Sequence, residues 1–289
     1  MSHPVHPDLL PAGVRAIELA PGVPGLAFTH PAFSASLSLY GGQLLGFTPH
    51  GGQPLFYLSP AAILQPGKVI RGGVPLCWPW FGKHASDASL PQHGVARTAQ
   101  WTVNAVARSE RGFHVKLNGP RYGELASSLS LVLEDNGVSL ALTTRNHGKT
   151  SASVSAALHS YIAVGDLRQV ALSGLENAAC HDKLTDTHST LPATPWRFAA
   201  ATDAVVSSGA PLQLHDEAWQ RTLAISSSGS ASTVVWTPWQ SGAAALADLP
   251  EDGWQHFLCV EAANAGADRR DIAAGDSHTL AQHLRLQQV

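Results

Sequence analysis

Apolar and polar side chains alternate at every second position in one segment after another of this chain. In SASLSLYGG, Leu37 and Leu39 alternate with Ser36 and Ser38. In LSLVLEDNGVSLALTT, Leu129, Leu131 and Leu133 share one face, and Val138, Leu140 and Leu142 resume the pattern after a break. Successive side chains of a strand point to opposite faces, so this period marks strands with one face on a core. Asn136-Gly137 lies between the two runs and suits the positive φ angles of a tight turn, which predicts a hairpin turning on those two residues. FHVKLNG, SASVSAALHSYIAV, RTLAISSS, STVVWTPW and FLCVEA read as further strands, and the Ser-rich ISSSGSAST (225–233) as a hairpin loop. No segment carries a sustained helical stripe with caps, and neither a repeat nor a linker is visible. Short strands separated by Gly, Pro, Ser and Asn turns predict an all-β fold, a large antiparallel β-sandwich or barrel, with residues 1–289 as one domain.

Composition narrows the class. Hydrophobic residues make up 44% of the 289 residues and charged residues 13%, which fits a large core and not a disordered chain. A net charge of −3 gives no reason to expect nucleic acid or an anionic membrane as partner. Recognition of an anion must then be local, by a few cations in one pocket. Cys77, Cys180 and Cys259 are odd in number and form no CxxC pair, which argues against a disulfide framework and for a reducing, cytoplasmic setting. The start, MSHPVHPDLLPAGVR, lacks a basic stretch followed by an apolar one, and no run approaches the ~18 apolar residues of a membrane helix.

Two strands carry a polar residue where chemistry is conceivable. In VSAALHSYIAV, His159 and Tyr161 fall opposite to Leu158, Ile162 and Val164. The plain reading of His159 is a cross-sheet hydrogen bond on a half-exposed face. In FLCVEAANAG, Leu258 and Val260 point one way and Phe257, Cys259 and Glu261 the other, so the strand is covered on both sides. A carboxylate there is either ion-paired, with an arginine for instance, or desolvated, and desolvation raises its pKa as in a general base. The His and the Glu become an acid/base pair only if their faces meet.

The segment 70–101, IRGGVPLCWPWFGKHASDASLPQHGVARTAQW, follows neither period yet holds Arg71, Lys83, Gln92, Arg97 and three tryptophans. Guanidinium forks and an amide suit an oxygen-rich anion, and Trp78 and Trp80 could cover the apolar face of a pyranose or simply pack in the core. His84 and His93 read as loop hydrogen-bonding residues. Metal-site spacing is missing: there is no HExxH, no Cys/His zinc pattern and no EF-hand loop, and HPVH and CHDKLTDTH are only loose pairs. No nucleophile elbow, P-loop or dinucleotide fingerprint occurs. No metal and no cofactor is expected.

The blocks RGGVPLCWPWFG, LPQHGVARTAQW, ALHSYIAVGD, ATDAVV, VVWTPW and LADLPEDGWQHFLCVEAANAG occur in this order over roughly residues 30–285. Together they resemble the glucose-6-phosphate 1-epimerases, or D-hexose-6-phosphate mutarotases, of the aldose 1-epimerase superfamily. The resemblance implies an antiparallel β-sandwich of the galactose-mutarotase type and an isomerase acting on a small sugar phosphate; a monomer is expected. It places the catalytic histidine at His159 and the catalytic glutamate at Glu261. Substrate-binding residues fall on Arg71, Gln92, Arg97 and Asp203. The chain departs from the family pattern in three places: Ala262-Ala263 follows C-V-E, Ala204 follows T-D, and Lys83 follows WFG. The implied reaction exchanges α and β anomers through ring opening, with Glu261 as base and His159 as acid. Two alternatives keep the sandwich: a mutarotase for free aldoses, and a silent carbohydrate-binding module.

Overall fold

The alternating segments become strands of four antiparallel sheets within residues 10–287, the residues that the computed structural model describes. The largest sheet has nine strands in the order Trp196–Arg197, Val170–Ser173, Leu212–Asp216, Arg221–Ser228, Ser277–Leu286, Gly137–Asn146, Leu125–Glu134, Gly112–Tyr122 and Thr102–Arg108. An eight-stranded sheet runs Thr187–Thr190, Ala179–Asp182, Thr202–Val206, Ser232–Thr237, Phe257–Ala263, Ala157–Leu158 and Leu76–Cys77, with Tyr161–Ala163 also paired to Phe257–Ala263. Val14–Ala20, Val23–His30, Phe33–Ser38 and Gln43–Pro49 form a four-stranded meander, and Ala152–Val154 pairs with Arg270–Ile272.

The large sheets pack face to face. Leu129, Leu131, Leu133, Val138, Leu140 and Leu142, the residues picked out by period two, are at most 1% exposed. They share one apolar core with Leu158, Ile162, Leu258 and Val260 of the facing sheet. Each such side chain contributes about 1.5–3 kcal/mol on burial. Leu258 and Val260 take one face of Phe257–Ala263 into this core, and Glu261 lies on the other face, beside the buried Phe257 and Cys259.

Three local expectations are corrected. The hairpin turns on Asp135 and Asn136, because Glu134 pairs with Gly137, and Asn136 keeps a negative φ. A Cβ on Gly137 would lie 2.0 Å from the Leu284 carbonyl oxygen, so the glycine answers to the neighbouring strand and not to the turn. ISSSGSAST is no hairpin: Arg221–Ser228 belongs to the nine-stranded sheet and Ser232–Thr237 to the eight-stranded one, so 229–231 carries the chain between layers. SASVSAALHSYIAV is not one strand but three pieces, broken at Ser155-Ala156 and again at His159-Ser160. Among the described residues no helix is long and apolar enough to cross a membrane.

Candidate active site

Registry across the eight-stranded sheet assembles the site. Val205 pairs with Val234 and Val234 with Glu261; one step along, Asp203 pairs with Trp236 and Trp236 with Cys259. Cys259 pairs in turn with Tyr161. Leu158 faces Ala262 and Tyr161 faces Cys259, so the same register continues through the break and sets His159 opposite Glu261. By alternation Asp203, Trp236, Cys259, Tyr161, His159 and Glu261 lie on the sheet face opposite Leu258 and Val260. His159 Nε2 stands 3.4 Å from Glu261 Oε1.

Glu261 is 1% exposed, and neither carboxylate oxygen meets a hydrogen-bond donor among the described residues. His159 is not on a half-exposed face: its side chain is 12% exposed and its Nδ1 is buried without a partner. Its ring stacks on Tyr161, with centroids 5.0 Å apart and planes 13° apart, and meets the edge of Trp236. Buried polar atoms are nearly always satisfied, so orphaned atoms facing a cavity mark a place for ligand hydroxyls. Burial pushes Glu261 well above the ordinary carboxylate range; Asp203 adds to this, and Lys183 and Arg97 oppose it. Burial also pushes His159 well below the ordinary imidazole range, and the cations around it (Arg97 and Arg71) act the same way. Each partner is driven toward its neutral form, so the pair holds one proton between them.

His159 and Glu261 open onto a cavity of about 260 Å³, and the structure places all six predicted site residues on its walls. Arg71 is carried in by the RGG turn. A Cβ on Gly73 would lie 2.2 Å from the Leu44 carbonyl oxygen, and only glycine lets the two segments approach so closely. The Arg71 guanidinium donates to Asp248 Oδ1 at 3.2 Å and to the Tyr161 hydroxyl at 3.0 Å. Asp203 is matched by Lys183, Nζ to Oδ1 3.4 Å. Arg97 donates from Nη2 to the Gln92 carbonyl at 2.7 Å, its Nε is buried without a partner, and no carboxylate pairs with it among the described residues. Arg71 and Lys183 are therefore neutralised in place, and Arg97 is the cation in this cavity whose charge is not.

Tyr161, Trp236, Phe81 and Lys183 also line the cavity and escaped the sequence reading as site residues. Trp236 shares a face with Asp203 and Glu261 only through the register of three strands, which period two within one strand does not reveal. His93, read as a loop residue, is both that and a wall of the cavity. Its Nδ1 accepts from the Gly82 amide at 3.3 Å, and burial, Arg97 and Lys183 pull its pKa down to about 3. It is thus a neutral imidazole with the proton on Nε2. Trp78 and Trp80 do not cover a sugar. They are 0% and 7% exposed, with Nε1 bonded to Thr144 and to the Pro91 carbonyl, and the aromatic wall of the cavity is Trp236, Tyr161 and Phe81 instead. Lys83 and His84 line a different depression beside Trp80. His181 and His188 stack across neighbouring strands, and among the described residues no group of three metal-ligating side chains assembles. The HPVH pair lies outside the described residues.

Comparison with known proteins places the chain in a family and a fold. A profile described as aldose 1-epimerase matches residues 25–285. A protein of Escherichia coli (strain K12), provisionally named glucose-6-phosphate 1-epimerase, is 31% identical over 270 residues, covering 89% of this chain and 88% of its own. A crystal structure from Salmonella typhimurium, provisionally described as a mutarotase, superposes with a TM-score of 0.88 at 26% identity, over 97% of this chain and 95% of that one. A galactose mutarotase-like protein from Lactobacillus casei shares the fold, with a TM-score of 0.67 at 15% identity, over 91% of this chain and 100% of its own.

Proposed function

The chain belongs to the aldose 1-epimerase family and is an epimerase, and from that premise we propose that it exchanges the anomers of a hexose 6-phosphate, with Glu261 as base and His159 as acid. The observation that carries the reading is a fully buried carboxylate with no hydrogen-bond donor, 3.4 Å from an equally constrained imidazole.

The chemistry follows from the shared proton. Glu261 as carboxylate removes the proton from the anomeric hydroxyl, and the electron pair forms the C1 carbonyl. The C1–O5 bond breaks, and its pair goes to O5, which takes a proton from the His159 imidazolium. The aldehyde end rotates, and O5 attacks the other face of C1 with the two groups in reversed roles. At the end the proton count of the pair is unchanged. The starting arrangement, a carboxylate beside an imidazolium, is one tautomer of the one-proton pair. A positioned acid and a positioned base are each worth about 10²–10⁴ in rate.

Charge around the cavity supports the phosphate. Asp248 and Asp203 cancel Arg71 and Lys183, and His93 is neutral, which leaves Arg97 to receive an anion. Free hexoses need no such charge. Arg97→Ala is therefore expected to weaken turnover of hexose 6-phosphates by about ten- to over a hundredfold, the worth of roughly 1.5–3 kcal/mol for a charge-assisted hydrogen bond. Free hexoses should lose much less, and added salt should weaken the phosphosugar preference of the parent enzyme. Arg71→Ala, which unpairs Asp248, should affect both substrates alike. Anomer-exchange NMR with phosphorylated and free sugars reads all of this. If Arg97→Ala costs both substrates the same factor, the free-aldose mutarotase takes the place of this reading.

A further inference from the structure

The strand ladder beneath the His159–Glu261 pair lacks a rung. Ser160 and Val260 are opposite each other in the register and point away from the cavity. In a regular antiparallel ladder they would exchange two hydrogen bonds. Val260 N–H does donate to the Ser160 carbonyl at 3.2 Å. Ser160 N–H turns back instead to the Leu158 carbonyl at 2.9 Å, which deprives the Val260 carbonyl of its ladder donor. On its other side His159 keeps the register that pairs Leu158 with Leu76, and its N–H donates to the Pro75 carbonyl at 3.0 Å, tying the histidine to the segment after the RGG turn.

A side chain from the facing sheet fills the gap. Gln282 stands on the inward face of Ser277–Leu286, between Leu280 and Leu284, where period two calls for an apolar residue. It is 1% exposed. Its Nε2 donates to the Val260 carbonyl at 2.9 Å, and its Oε1 accepts from the Ser160 hydroxyl at 2.5 Å. The Val260 carbonyl can only accept, so the amide has one orientation, and the serine hydroxyl must donate to the remaining oxygen. The bridge thus runs from the residue after His159 to the residue before Glu261 through one amide. A buried amide is costly unless both its ends are bonded, and here both are.

We propose that Gln282 is a positioning residue that replaces the missing rung and sets the separation of His159 from Glu261. It touches neither reacting group and reaches the cavity chemistry only through the backbone of their neighbours. The proposal rests on reading those two residues as the reacting pair. An error of about 1 Å in a reacting geometry can cost about a hundredfold in rate. Gln282→Met keeps the volume and removes both bonds. It is expected to lower kcat for a hexose 6-phosphate about ten- to a hundredfold and to leave KM within about twofold, because Arg97, Gln92 and Asp203 are untouched.

Ser160→Ala cuts one half of the bridge and should lower kcat several-fold, again with little change in KM. The double variant should be no worse than Gln282→Met, since both act through one connection. Should Gln282→Met fail to fold, Ser160→Ala carries the test alone. Folded variants with parental kcat, or losses that multiply in the double variant, overturn the proposal. Glu261→Gln is measured beside them. If it retains full exchange, the acid/base reading falls and takes this proposal with it. If it is inactive and the bridge variants are not, only the positioning role falls.

Discussion

Glu261→Gln is expected to lower kcat by two or more orders of magnitude and to leave the protein at least as stable as the parent. The substitution keeps volume and deletes the base, and general base catalysis is worth about 10²–10⁴. Stability should not suffer, because the carboxylate is 1% exposed and makes no hydrogen bond that an amide would lose. Relieving a buried ionisable group that lacks partners removes a penalty from the folded state. A structural ion pair would behave in the opposite way, since breaking one destabilises strongly. Thermal melting and anomer-exchange NMR on the same sample separate the two cases. An active Glu261→Gln enzyme would move the base elsewhere, with Asp203 the nearest carboxylate on the same face.

The pH profile sharpens this expectation. The active enzyme carries one proton on the pair, so activity falls when a second proton is gained and when the one proton is lost. Gaining the second makes His159 cationic beside a neutral acid, and burial holds that step below the ordinary imidazole value of 6.5. Losing the one proton leaves a bare carboxylate, and burial holds that step above the ordinary carboxylate value of 4.5. The profile of kcat/KM should thus be a broad plateau with its acidic limb displaced downward and its alkaline limb displaced upward. In Glu261→Gln the alkaline limb that belongs to the carboxyl should vanish. The small residual rate should rise toward acid, as the remaining imidazole becomes cationic.

The fold was legible in the chain because period two is a local signal. Leu129 through Leu142 identify their face without reference to any partner. Sheet membership was not legible: nothing in ISSSGSAST tells a hairpin from a crossing, since that depends on which strand each half meets. The tryptophans show the same limit. Trp78 and Trp80 stand in a polar-rich loop, yet the fold buries both, and Trp236 from a plain strand forms the wall. His159 and Glu261 stood out as polar residues on otherwise apolar strands, but their meeting depends on a register between segments about a hundred positions apart. The partners that decide charge, Asp248 for Arg71 and Lys183 for Asp203, are likewise distant in sequence and close in space. Gln282 could be seen as an anomaly in its strand, with no hint of what it bridges.

His159→Ala is expected to abolish nearly all exchange, by roughly 10²–10⁴ or more, because it deletes the acid in both ring opening and reclosure. The structure changes what else the variant should do. The imidazole stacks on Tyr161 and touches the edges of Trp236 and His93, so its loss removes packing as well as chemistry. A fall in melting temperature of a few degrees should accompany the loss of rate. His159→Gln keeps more of the volume and an amide near Glu261, and should recover the stability without the rate. The void left by alanine adjoins the cavity, so imidazole added to the buffer can occupy it beside Glu261. Added imidazole should restore part of the exchange to His159→Ala, saturably, and should do nothing for Glu261→Gln. A folded His159→Ala enzyme that turns over near the parental rate, with no response to imidazole, would remove this histidine from the mechanism. His93 would not inherit the acid role, because its pKa near 3 keeps it neutral at working pH.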